Sequence, residues 1–445
     1  MSKFPATPKS SLAVAEKPLT SRIADGYIVN GLRLVTLPME VKDVVTIFGS
    51  FYGGDVFNPP GNEMVAEITS NMLDKGTEMR DKFVISELLE SVGARISFDS
   101  DDYRVSFSVR CLKENLPLVV ELLAEQLRSP AFQDTDLLTT RKRYTANIKR
   151  QNENTDYRAR ARFAQINYPG DHPNCIPTIE SQVAGVESIE VSQLREFHQR
   201  HYGAGNMTVV ATGDIDRVAL EELFGSQFVN WPQVNVAPPS LDGRRGFLNL
   251  PMTEETVTMP EKTSVDLNMG FVIGIDREHS DYLPLSVGSF ILGGNFSARL
   301  MSTVRDEQGL TYGIGSGISG AMNGKDGYWI THGTFAPELV AQGRAATLAQ
   351  IEKWIKKGVT EDELGVKKNT LNGSYKVGLA TTSGMAAAIL DILERGKEIT
   401  YIDDYTEEIN AVTLDQVNTT IRDYIHLDRL VTVCAGSIDE QWKPL

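Results

Sequence analysis

Apolar and polar positions alternate from Arg104 to Cys111. Val105, Phe107, Val109 and Cys111 share one face, and Arg104, Ser106, Ser108 and Arg110 the other, which predicts a half-buried strand. Directly downstream the period changes. Leu116, Val119, Val120, Leu123 and Leu127 recur at helical spacing, and Ser129-Pro130 closes the helix they predict. Runs of strands with helices between them, rather than strict βαβ order, point to an α+β fold. Largely antiparallel sheets with helices packed on one face are expected.

The pattern occurs twice. Thr208-Val209-Val210-Ala211-Thr212-Gly213-Asp214-Ile215-Asp216 is matched 223 positions later by Val431-Thr432-Val433-Cys434-Ala435-Gly436-Ser437-Ile438-Asp439. Each of these strands follows a helix of similar design, Val191 to Tyr202 and Leu414 to Tyr424. Capped helix starts at Asp134-Thr135-Asp136-Leu137 and Thr360-Glu361-Asp362-Glu363-Leu364 repeat at nearly the same offset, so duplication of one unit is the reading. Between the halves, residues 230–256 carry Trp231-Pro232, Pro238-Pro239 and Asp242-Gly243 and read as a linker. The expected organisation is an N-terminal arm over 1–20, a first domain over 21–229, this linker, and a second domain over 257–445.

Bulk properties narrow the function classes. Lys and Arg number 44 against 59 Asp and Glu, a formal charge of −15, which argues against nucleic acid or an anionic membrane as partner. No apolar run approaches the roughly 20 residues of a membrane span. Met1 to Lys17 lacks an apolar core of signal-peptide type and reads as a loose polar arm. A trimmed secreted chain reads the same way, so cytoplasm and periplasm both stay open. Cys111, Cys175 and Cys434 are odd in number and far apart, which indicates neither a disulfide framework nor a thiolate zinc site.

One helix carries Glu67-Ile68-Thr69-Ser70-Asn71-Met72-Leu73-Asp74-Lys75, followed by Gly76-Thr77. Together with the duplicated unit and the segment Gly293 to Tyr312, it resembles the pitrilysin-like, or inverzincin, zinc metallopeptidases. The resemblance is to the branch that includes the mitochondrial processing peptidase and its bacterial relatives. It spans about Val29 to Ile438. Gly53-Gly54-Asp55-Val56-Phe57-Asn58-Pro59-Pro60-Gly61 and Tyr168-Pro169-Gly170-Asp171-His172-Pro173 agree with it. That family binds zinc through H-x-x-E-H and a later glutamate. Counting back from Lys75-Gly76-Thr77, the histidine positions hold Glu67 and Asn71 and the general-base position Ser70; the third ligand position falls on Asn147. Two neutral amides are poor zinc ligands, and a serine does not accept a proton as a carboxylate does. No metal is expected in this chain.

The second half keeps its element. Gly293-Gly294-Asn295-Phe296-Ser297-Ala298-Arg299-Leu300 leads to Arg305, and Tyr312 follows seven positions later in Gly309-Leu310-Thr311-Tyr312. The family resemblance implies that this tyrosine donates to the oxyanion across the chamber while the arginine holds the substrate backbone. It also implies a homologous partner chain with the intact H-x-x-E-H motif and its zinc, and unfolded peptides as substrates. Read without the family, Arg305 is a solvated helix charge and Tyr312 a strand-core aromatic. The rival functions are a structural subunit like the core proteins of respiratory complexes, and a chamber that binds peptides without cutting them. Gly315-Ser316-Gly317-Ile318-Ser319-Gly320 spells a dinucleotide fingerprint but is followed by a turn, so hairpin glycines are expected. His198 and His201 read as a surface pair.

Overall fold

The computed structural model describes residues 18–241, 245–322 and 324–445. The polar arm expected at Met1 to Lys17 lies outside the described residues. Strands Ala24–Tyr27 (β1), Arg33–Pro38 (β2), Val44–Tyr52 (β3), Arg95–Ser100 (β4), Arg104–Leu112 (β5) and Thr208–Gly213 (β6) form one sheet. Its order is β1-β2-β6-β3-β5-β4, and β2 with β6 is its parallel pair. Strands Thr253–Thr258 (β7), Val265–Val272 (β8), Thr311–Ser319 (β9), Tyr328–Phe335 (β10) and Val431–Gly436 (β11) form a second sheet. Its order, β7-β11-β8-β10-β9 with β7 parallel to β11, repeats the first sheet without β1. The duplication read from short sequence matches is therefore a duplication of topology, and the mixed α+β class stands. The linker ends sooner than its composition suggests. Thr253–Thr256 already pair with Val431–Cys434, because a Thr- and Val-rich run suits a pleated strand even with two glutamates in it.

The first half carries helices Val65–Asn71 (α1), Lys82–Ser91 (α2), Leu116–Arg128 (α3), Asp134–Gln151 (α4), Thr155–Asn167 (α5), Ile179–Ser188 (α6), Val191–His201 (α7) and Arg217–Phe228 (α8). The second carries Tyr282–Gly293 (α9), Val340–Lys357 (α10), Glu361–Leu379 (α11), Thr382–Glu394 (α12), Tyr401–Ala411 (α13) and Leu414–Tyr424 (α14). Alternation in β3 and β5 sends Ile47, Phe51, Val105 and Val109 to one face. There they pack on Ile68 of α1 and on Val119 and Leu123 of α3. Leu267 and Met269 of β8 meet Ile291, Trp354 and Ile421 in the same way.

The opposite face of each sheet receives a helix from the other half. Ile389, Leu390 and Leu393 of α12 cover Val35, Leu37 and Val210 of the first sheet. Ala159 and Phe163 of α5 cover Val431, Val433 and Ala435 of the second. Each fully buried side chain of this kind contributes on the order of 1.5–3 kcal/mol. Threonines at the helix starts fix the register. Thr382 meets Thr46 at 2.9 Å, and its carbonyl accepts from Thr212; Thr155 donates to Asp266 at 2.6 Å. A buried polar pair adds a third tie. The backbone N–H of Asn174 donates to His172 Nδ1, which leaves Nε2–H to donate to Asp326 Oδ1 at 2.9 Å.

Candidate functional site

The degenerate motif occupies a short helix, α1, wedged between α7 and the edge strand β4. Ser70 is buried, with its hydroxyl 3.1 Å from that of Ser100 on β4 and bonded to the Glu67 carbonyl. Asn71 Nδ2 donates to the same carbonyl at 3.1 Å. Both polar side chains thus spend donors on their own helix.

Tyr144 on α4 completes the arrangement. Its phenol interacts with the Glu67 carboxyl and the Asn71 amide, across α4 and α1, at two of the positions that the ligand count reaches. Burial pushes the Glu67 carboxyl up and the Tyr144 bond pulls it back, with a net rise. The Tyr144 hydroxyl is itself pushed up, first by burial and then by the Glu67 charge. Asn147 lies one turn further along α4 and is exposed. This donor set does not fit zinc. It offers one carboxylate already engaged by a phenol, a hydroxyl and two amides, and the described residues hold no group of three or more His, Cys, Asp or Glu placed to bind a metal. Tyr144 escaped the sequence reading, although it stands three residues before the position that the ligand count reaches.

The arginine–tyrosine element is built at the other end of the chain. At Gly293 a Cβ would lie 2.4 Å from the backbone nitrogen of Ser316, so glycine lets the end of α9 press against β9. The chain then runs through Arg299, which ion-pairs with Glu363 at 2.7 Å, into a π-helical turn over Met301–Glu307. Such turns are rare and frequently mark functional sites. Arg305 lies in it. Its Nε donates to the Tyr312 carbonyl at 3.0 Å and its Nη1 to Asp306 at 2.7 Å. Tyr312, the second residue of β9, is 89% exposed and is no part of a strand core. The Arg305 guanidinium carbon lies 5.7 Å from the Tyr312 ring centroid and 5.8 Å from that of Phe296. The sequence reading passed over Phe296, because a lone phenylalanine beside a motif has no spacing signature.

The histidine pair is not superficial. His198 is buried and bonds the Leu127 carbonyl at 2.8 Å, and burial lowers both His198 and His201 to about 4. The apolar stripe of α7 turns His198 inward with Leu194 and Phe197. The glycine-rich segment after Tyr312 runs along β9, as hairpin glycines should.

Residues 35–170 match the family model described as insulinase, peptidase family M16. Residues 188–371 match the one described as the peptidase M16 inactive domain. An uncharacterised zinc protease of Mycobacterium tuberculosis is 28% identical over 363 residues, which cover 80% of either chain. A protein of Helicobacter pylori named a non-peptidase homolog is 22% identical over 388 residues, 86% of either chain. Among solved structures, the peptidase M16 inactive domain from Pseudomonas fluorescens superposes with a TM-score of 0.83 at 23% identity. That match covers 95% of this chain and 99% of that one, and at such identity it speaks for the fold. Among the described residues no single helix is long and apolar enough to cross a membrane.

Proposed function

The chain belongs to peptidase family M16, and we propose that it is the metal-free subunit of a two-chain peptidase of the mitochondrial-processing-peptidase type. It supplies Arg305 and Tyr312 to the site of a homologous chain that keeps H-x-x-E-H and carries the zinc. The observation that carries this reading is the contrast between the two halves. Glu67 and Asn71, at two of the counted ligand positions, interact with Tyr144, while Tyr312 stands out in solvent beside an arginine fixed by the backbone. A relative named an inactive domain and another named a non-peptidase homolog support the loss of metal chemistry in one chain.

The chemistry follows from the residue types. A phenol is a neutral donor suited to an oxyanion that develops during attack on a peptide carbonyl, and removing one such donor costs about 10²–10³ in kcat. The guanidinium is a rigid fork, and with Nε and Nη1 engaged within the chain its Nη2 can bond a substrate carbonyl. The substrate is an unfolded peptide added as a strand at a sheet edge, which keeps its backbone extended past both groups. The partner's zinc supplies the activated water.

The test is hydrolysis of an unfolded peptide by this chain alone, by a homologous H-x-x-E-H chain alone, and by the two mixed. Activity is expected from the mixture, and Tyr312→Phe or Arg305→Ala lowers its kcat roughly 100-fold or more. Robust zinc-dependent hydrolysis by this chain alone, or a mixture indifferent to both substitutions, overturns the proposal. Indifference in a mixture that stays assembled points instead to a scaffold or a peptide-holding chamber.

A further inference from the structure

We propose that Phe296 is a third member of the Arg305–Tyr312 element: a platform that receives a large apolar side chain of the bound peptide and so sets sequence preference. The proposal rests on the function argued above and names the substrate class for that site.

Phe296 is 78% exposed and Tyr312 89%, and the Arg305 guanidinium carbon is 5.8 Å from the first ring centroid and 5.7 Å from the second. A large exposed ring alone means little. Here the loop that carries it is anchored at unusual cost. Lys367 of α11 is 4% exposed, and its Nζ donates to Asn295 Oδ1 at 2.7 Å and to Ser297 Oγ at 2.8 Å, the residues on either side of Phe296. Burial lowers the Lys367 ammonium pKa, with the Glu363 charge opposing. A buried ammonium held by two neutral oxygens is an expensive way to fix a surface loop whose tip contributes nothing to the core. It is intelligible when the position of the tip matters.

Geometry then selects the occupant. Among the described residues β9 pairs only with β10 in its sheet, so its outer edge carries no strand, although Arg305 Nε already holds the Tyr312 carbonyl. A peptide paired along that edge passes Tyr312, and its side chains alternate between the two faces of the sheet. On this proposal one of them lies beside the Phe296 ring, which shares the Arg305 guanidinium with Tyr312. A leucine, methionine or phenylalanine there gains apolar contact with the ring. A lysine or arginine is opposed by the adjacent guanidinium.

The experiment measures kcat/KM of the two-chain enzyme on pairs of ten-residue peptides that differ at one position, leucine against serine, with the position scanned along the peptide. At one position the unaltered enzyme prefers leucine. Phe296→Ala is expected to cut that preference, the ratio between the leucine and serine peptides, roughly five- to tenfold through KM. Phe296→Leu restores most of the preference. The ring is largely outside the core, so the thermal midpoint should move little, and a melt of each variant checks this. If Phe296→Ala keeps the full leucine preference while Tyr312→Phe and Arg305→Ala still disable the enzyme, the platform is wrong and the division of labour stands. If Tyr312→Phe and Arg305→Ala are themselves without effect, the functional reading fails and takes the platform with it.

Discussion

Tyr144 sets a phenol beside Glu67 and Asn71, two of the positions where the family pattern has zinc ligands. The family pattern carries its third ligand on a later helix; here that helix, α4, brings the Tyr144 phenol to interact with Glu67 and Asn71 of α1. Which residues stand at the ligand and general-base positions of the family pattern, Glu67, Ser70, Asn71 and Asn147, follows from counting along the chain. The Tyr144 contact does not. Tyr144 lies 77 residues from Glu67 and 73 from Asn71 in sequence, and counting carries no information about such contacts. Tyr144→Phe keeps the ring and deletes only the hydroxyl, leaving the partly buried Glu67 carboxyl without that donor. A loss of about 1–3 kcal/mol is expected, read as a lower urea midpoint at unchanged slope, with no change in metal content. An unchanged midpoint would show that water replaces the phenol without cost.

Among the elements, α9 and β9 show how local chemistry prepares the exposed pair. Gly293 was visible in the sequence as part of a family motif, but its reason is steric: the end of α9 touches the β9 backbone at Gly315 and Ser316. Adding a methyl group there forces the helix and strand apart, and the strand carries Tyr312. Gly293→Ala should therefore destabilise the chain by about 1–3 kcal/mol. It should also weaken peptide hydrolysis by the mixed enzyme beyond what the loss of folded protein explains. The check is activity normalised to the folded fraction by circular dichroism. The π-helical turn that holds Arg305 was not legible. Apolar Leu300, Met301 and Val304 suit an ordinary helix, and the widened turn is seen only in the structure, where Gly309, at φ +64°, lies between it and β9.

For the molecule as a whole, the exchange of α5 and α12 decides how the two halves depend on each other. Apolar residues recur at helical spacing through 382–394, yet nothing in that pattern says which sheet the stripe covers, and helices on one face of each sheet are as much as the chain predicts. The structure gives Ile389, Leu390 and Leu393 to the first sheet, and Ala159 and Phe163 to the second. Removing the second half therefore uncovers Val35, Leu37 and Val210 and also strips Thr46 and Thr212 of their partner at Thr382. Each large side chain stripped of cover costs on the order of 1.5–3 kcal/mol, a sizeable share of the 5–15 kcal/mol that holds an ordinary domain together. Residues 18–241 expressed alone should thus fail to give a cooperative transition, whereas the full chain should unfold in one. Trp231 reports on the first core, and Trp329 and Trp354 on the second. Variants retaining only one of these reporting sites should show coincident urea midpoints. Midpoints separated by more than experimental error would mean that the halves fold independently and that the exchanged helices dock afterwards, as between separate domains.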